Sequence, residues 1–254
     1  MYVACSTLCF GRYSLDRALR MIGELEFNKV DVAIHEQGPH LRPSEVADDI
    51  SLAAQRLRIG PSLAPAAFSI ETETAGPTEL SRQLKAICRL ARLSTVPLLT
   101  VSAAPVGSGI DAEVKRLRKL ARFVEAEGLV LTVLTRIGTL IETPAAAVEL
   151  CERVPGLGLT LDPSHYINGP HQGESFDEVY PYVRHVHLRD TGRAPGKFQV
   201  RVGQGEVEYG RIISHLQRRH YDRLLTVAIH DVAEAPFPME TEVRKMKFLL
   251  ESLV

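Results

Sequence analysis

A chain of 254 residues with 45% hydrophobic residues is long enough to bury one full core, and 30 basic against 31 acidic residues leave a net charge of −1. Near-neutrality removes the field that would concentrate nucleic acid or an anionic membrane, and no apolar run approaches the roughly 20 residues of a bilayer span. The N-terminal MYVACSTLCF carries no basic segment ahead of a sustained apolar one, so the expectation is a cytoplasmic protein with no nucleic-acid or membrane partner.

Taken in chain order, short aliphatic and β-branched runs alternate with stretches whose apolar residues recur every three or four positions. The runs predict strands at 2–8, 29–34, 58–63, 98–102, 129–134, 158–161, 183–188 and 224–229. The intervening stretches predict helices at 14–25, 43–56, 79–93, 111–127, 144–152, 209–219 and 240–250, with Ser14, Pro43 and Thr143-Pro144 as start signals. Only a weak helix is expected across 163–178. The connection 191–207, with four glycines and Pro195, is long for such a unit, and loops of that kind are often functional. Cys5, Cys9, Cys88 and Cys151 are scattered, without CxxC spacing, and are expected to be reduced, mostly buried thiols.

Eight βα units of about 32 residues account for the whole chain, which predicts an α/β fold of one domain spanning residues 1–254, a (β/α)8 TIM barrel. In such a barrel, alternate strand residues face the interior. In the sixth strand this turns Thr160 and Asp162 inward; in the seventh, His185 and His187; in the fifth, Thr132, Leu134 and Arg136; in the eighth, Thr226, Ala228 and His230. An acid, three histidines and an arginine are therefore expected at the C-terminal mouth, where barrel enzymes place their chemistry.

Given LDPSHY at 161–166, HVHLRD at 185–190 and the glycine-rich VGQGEV at 202–207, the chain resembles the xylose isomerase-like barrels, which include sugar isomerases, sugar-phosphate epimerases, inosose dehydratases and abasic-site endonucleases. The resemblance implies a divalent cation held by a Glu, an Asp, a His and a second Glu from the fifth to eighth strands. It carries the Asp onto Asp162 and the His onto His187, with His165 as a substrate or second-metal histidine. The two glutamates are replaced: LTVLTRIGTL at 131–140 puts Leu134, and LLTVAIHD at 224–231 puts Ala228, at the matching positions. A cation site built on Asp162, His187 and His165 is then expected to be weak or absent, and softer in preference, toward Zn or Mn over Mg.

The implied activity is that of a sugar or sugar-phosphate isomerase or epimerase moving protons next to a carbonyl, on a small sugar or polyol that carries or lacks a phosphate. With the glutamates missing, His185 and His230 are the candidate catalytic groups. His165, Arg136, Glu36 (in AIHEQG at 33–38), Arg201 and Gln204 are the candidate substrate contacts, and a homo-oligomer is compatible with the pattern. Two other readings stay open: a non-catalytic polyol-binding or regulatory barrel, and abasic-site cleavage. Against the latter, FQVRVGQG at 198–205 offers Gln199 and Arg201 where the endonucleases carry extra metal ligands.

Overall fold

The computed structural model of the protein describes residues 1–58, 63–72, 76–232 and 237–254. Eight parallel strands close on themselves in sequence order: β1 (Tyr2–Ser6), β2 (Lys29–His35), β3 (Ala64–Glu71), β4 (Leu98–Ser102), β5 (Val130–Leu134), β6 (Gly158–Leu161), β7 (Val183–Leu188) and β8 (Leu224–Val227). The helices that alternate with them are α1 (Leu15–Glu24), α2 (Pro43–Asp48), α3 (Ile50–Arg56), α4 (Pro77–Leu93), α5 (Ile110–Ala126), α6 (Pro144–Arg153), α7 (Pro163–Ile167), α8 (Tyr209–Gln217) and α9 (Met239–Glu251). This is the expected (β/α)8 barrel. No helix among the described residues is long and apolar enough to cross a membrane.

Two expected elements differ. The third strand was expected at 58–63, of which 59–62 lie outside the described residues; the strand that enters the sheet is β3, where Pro65 coincides with a register irregularity opposite Val30 and Asp31. The helix expected over 43–56 is two helices, because Asp49 is extended and its carboxylate accepts the Leu52 amide at 2.9 Å, capping α3. Elsewhere the start signals act as caps: Ser14 accepts from Arg17 N and Thr143 from Ala146 N.

The barrel interior is layered. A small apolar cluster of Ala4, Ala67, Leu98 and Leu224 is separate from the large core formed where the outward-facing strand residues meet the helices. Above it lies a buried polar layer: the hydroxyls of Thr100, Thr132 and Thr160 lie 2.8–3.0 Å from one another, and His185 joins them with Nε2 2.7 Å from Thr226 Oγ1. Each of these groups would be costly to bury alone, and each has a partner. The layer plugs the barrel, so the site sits on a closed floor.

Burial holds several histidines neutral. It lowers His40 and His165 to about 4 and His185 to about 3. Unfolding returns each to about 6.5, so as pH falls through 6.5 the unfolded chain binds protons that the folded chain refuses. Stability is therefore expected to fall as pH drops from 6.5 toward about 4, with a slope of at most about 1.4 kcal/mol per pH unit for each such histidine. Urea titrations at pH 7 and pH 5 measure it; equal midpoints would contradict it.

Candidate active site

At the top of the barrel, alternation along KVDVAIH turns Asp31 inward from β2, where Val30, Val32 and Ile34 face the helices. Asp31 is fully buried, and its carboxylate accepts from His187 Nε2 at 2.8 Å and from Ser69 Oγ at 3.0 Å. Burial pushes this carboxyl upward, but the hydrogen bond and charge of His187, with lesser help from His185 and Ser69, overcome it and leave it below the usual carboxylate value. The Asp31 carboxylate accepts from His187 Nε2, so in a neutral imidazole the proton would sit on Nε2 and the lone pair on Nδ1.

Across the mouth, the β6 strand ends in Asp162, which caps α7 and accepts from Ser164 N at 3.1 Å as well as from the Ser164 hydroxyl. Its other oxygen, Oδ2, receives Arg189 Nη2 at 2.6 Å, and both side chains are buried. Burial opposes ionisation of Asp162, yet Arg189 first and His165 and Ser164 after it hold the carboxyl well below its ordinary range. His165 accepts the Ile137 amide on Nδ1 at 3.2 Å, so in its neutral form the proton sits on Nε2, which lies 3.8 Å from Asp162 Oδ2. The two mouth histidines thus present opposite faces: His187 a lone pair, His165 an N–H.

The rim follows the same logic of paired charge. Arg136, just past β5, is paired with Glu71 at the end of β3, and His35 Nδ1 lies 3.6 Å from the same carboxylate. The long connection 191–207 folds over the mouth. Phe198 stands with its ring 4.8 Å from that of His165 and 5.1 Å from the Arg189 guanidinium, while Gln199 bonds both the N–H and the C=O of His230. The loop is anchored by Asp190, whose carboxylate accepts from Thr191 N, Gly203 N and Gly205 N at 2.7–3.1 Å; a Cβ at Gly205 would run into that carboxylate. VGQGEV is therefore a cradle for the chain's own aspartate.

These groups surround a cavity of about 180 Å³ lined by His165, His187, Arg189, Phe198 and His230 with Arg136 and Leu134 on its wall. It adjoins a second cavity of about 620 Å³, the two sharing His35, Ile70, Glu71, Val101, Ser102 and Arg136.

Of the sequence-predicted residues, His165, His230 and Arg136 line the inner cavity and Glu36 lines the outer one, where it accepts from the Ser44 amide at 3.1 Å. His185 lies in the threonine layer beneath and reaches neither cavity. Arg201 and Gln204 are exposed and line neither cavity, because the backbone around them is turned onto Asp190. Asp31 and Arg189 were missed, although the same alternation that singled out His187 places both on the inner set.

The expected cation set does not assemble. Asp162 is engaged by Arg189 on one oxygen and Ser164 on the other, and His165 Nδ1 by a backbone amide, while Leu134 and Ala228 add no side-chain donor atom. Of the three expected ligands only His187 keeps an acceptor atom without a partner among the described residues, Nδ1. A divalent ion on Asp162, His187 and His165 does not fit these residues. Asp31, His185 and His187 do offer ligand atoms within 4.8 Å of one another, but Asp31 and His187 are bonded to each other and His185 to Thr226. Neither cavity is lined by Asp31 or His185.

A family model described as xylose isomerase-like TIM barrel matches residues 19–249. None of the curated proteins matches the chain in sequence. Among solved structures, the chain is similar to a xylose isomerase domain protein from Alicyclobacillus acidocaldarius, at 18% identity and a TM-score of 0.78 over 100% of this chain and 98% of that one. It is similar to D-allulose 3-epimerase from Methylomonas sp. at 13% identity and a TM-score of 0.77, over 100% and 98%. A Mycobacterium smegmatis xylose isomerase-like barrel solved in complex with magnesium matches at 17% identity and a TM-score of 0.73, again over 100% and 98%. At these identities the likeness carries the fold.

Proposed function

Because the chain belongs to the xylose isomerase-like TIM barrel family, we propose that it acts on a small hydroxy-carbonyl compound, a sugar or a polyol-derived ketone, and moves a proton at the carbon next to the carbonyl. The single observation that carries this reading is the buried Asp31–His187 pair, with His187 on the wall of the mouth cavity. A carboxylate behind an imidazole holds one tautomer and stabilises the imidazolium formed when its far nitrogen takes a proton. His187 Nδ1, which has no hydrogen-bond partner among the described residues, is the base.

The carbonyl oxygen gains charge as that proton leaves, and two donors meet it. His165 is kept neutral by burial and presents Nε2–H, a donor suited to an enediolate oxygen. Arg189 offers the cation. Reprotonation by the His187 imidazolium at the neighbouring carbon gives an isomer once His165 Nε2 has given its proton to the former carbonyl oxygen and taken one back from the neighbouring hydroxyl. Return to the original carbon from the other face requires a second proton carrier, and His230, also on the cavity wall and held neutral by burial, would relay that proton from solvent through its ring. His185 steadies the floor beneath, with its ring 4.6 Å from that of His187.

The outer cavity supports a substrate longer than the inner cavity alone would hold, with Arg136 at the boundary offering hydrogen bonds to a hydroxyl or phosphate oxygen. Its pairing with Glu71 favours a neutral hydroxylated extension over a phosphate, since an anion there would meet the carboxylate.

Incubating the protein with keto- and aldopentoses, hexoses and their phosphates, and resolving products by NMR, tests the reading. Interconversion of at least one pair, lost in His187→Ala, is expected. Saturable binding of a sugar with no interconversion would replace this reading with that of a polyol-binding barrel.

A further inference from the structure

We infer that the guanidinium of Arg189 takes the place of the divalent cation in this barrel: it is a fixed positive charge on Asp162 that keeps metal out and supplies the electrophile itself. The inference deepens the proposed function and rests on it only for the electrophile; the exclusion of metal stands on geometry alone.

Arg189 lies two residues beyond His187, so the strand alternation sends both side chains to the same interior face. Its side chain is 3% exposed, donates Nη2 to Asp162 Oδ2 at 2.6 Å, and lines the mouth cavity. The guanidinium carbon lies over the Phe198 ring, 5.1 Å from its centroid, a cation–π contact that favours this placement. Nε is buried without a partner, and Nη1 bonds no group among the described residues, so the fork is only half used by the protein. Nη1, unlike the buried Nε, is the donor left for a substrate oxygen.

The substitutions at Leu134 and Ala228 belong to the same change. Bringing two more carboxylates to Asp162 would require a strong counter-charge; a single carboxylate facing one guanidinium is already balanced. A divalent ion brought to Asp162 would have to displace a buried arginine or sit against it, and both are unfavourable. Restoring the two glutamates alone should therefore leave the site unable to hold a metal.

Mn²⁺ binding, read by electron paramagnetic resonance and calorimetry, tests this without reference to turnover. The proteins compared are the natural chain, Leu134→Glu/Ala228→Glu, and the triple variant that adds Arg189→Met. The natural chain and the double variant are expected to bind no Mn²⁺ at the mouth, and the triple variant one ion, lost again on Asp162→Asn. Mn²⁺ bound by the natural chain or the double variant, and lost on Asp162→Asn, would overturn the inference. So would a folded triple variant that binds none.

If the triple variant does not fold, Arg189→Ala serves. Its melting temperature is expected to rise several degrees with millimolar guanidinium or Mn²⁺, with no such rise in the natural chain. No response to either ion would overturn the inference. Turnover that appears in the natural chain only with Mn²⁺ would sink this inference and leave the proposed function standing; absence of turnover with Mn²⁺ still excluded would do the reverse.

Discussion

Arg189→Met is expected to lower the free energy of unfolding by about 3–5 kcal/mol, the range for removing one partner of a buried ion pair. Met roughly fills the volume of the arginine stem, so most of the loss comes from Asp162, left in a fully buried position with Ser164 and a neutral His165 as its remaining partners. The sign depends on this isolation. Asp162 sits low in pKa largely because of Arg189, and without it the carboxyl must either protonate or remain charged without compensation. Urea unfolding at neutral pH measures the loss. The double variant Arg189→Met/Asp162→Leu, which removes both charges, should recover most of it, because an apolar pair of similar volume is close to neutral in such settings. A single variant within about 0.5 kcal/mol of the natural chain would mean that the pair carries no more than a solvent-exposed ion pair does.

Asp31→Asn is expected to leave the fold intact and lower kcat by about 10²- to 10⁴-fold, the span ascribed to a positioned proton-transfer group. Asparagine keeps the shape and can still meet Ser69, but its amide carries no charge to stabilise the imidazolium of His187 and can turn its NH₂ toward Nε2, which moves the proton to Nδ1. The base would then present an N–H where it needs a lone pair. KM should change little, since Asp31 lines neither cavity. A rise confined to KM would place Asp31 in binding and not behind the base.

The barrel was legible because its signal repeats: each strand shows the same alternation, and Ser14, Pro43 and Thr143 mark helix starts by local chemistry. The third strand was misplaced because APAAFSIE, which forms it, begins with alanines and a proline, residues of low strand preference. It is a strand because β2 and β4 flank it. The site was half legible. His187 and Asp162 could be found by alternation, and Asp31 and Arg189 were open to the same argument. Their partners could not be: Asp31 is 156 residues from His187, and whether the long Arg189 side chain turns back onto Asp162 is decided by packing against Phe198, which comes from a loop without periodicity. Arg201 and Gln204 were singled out because their side chains suit a sugar hydroxyl or phosphate; the loop's glycine amides instead bond Asp190 of the chain itself, and the two side chains line neither cavity.

The claim that the mouth moves protons through His187, with Arg189 in place of a metal, is tested most directly by hydrogen exchange at carbon. Protein stripped with a chelator and kept in D₂O is incubated with dihydroxyacetone and with a set of ketoses, and deuterium incorporation next to the carbonyl is followed by ¹H NMR. The account predicts incorporation at an undiminished rate after chelation, and its loss in Asp31→Asn and His187→Ala. Exchange that disappears with the chelator and returns with Mg²⁺ or Mn²⁺, or exchange untouched by both substitutions, would contradict it.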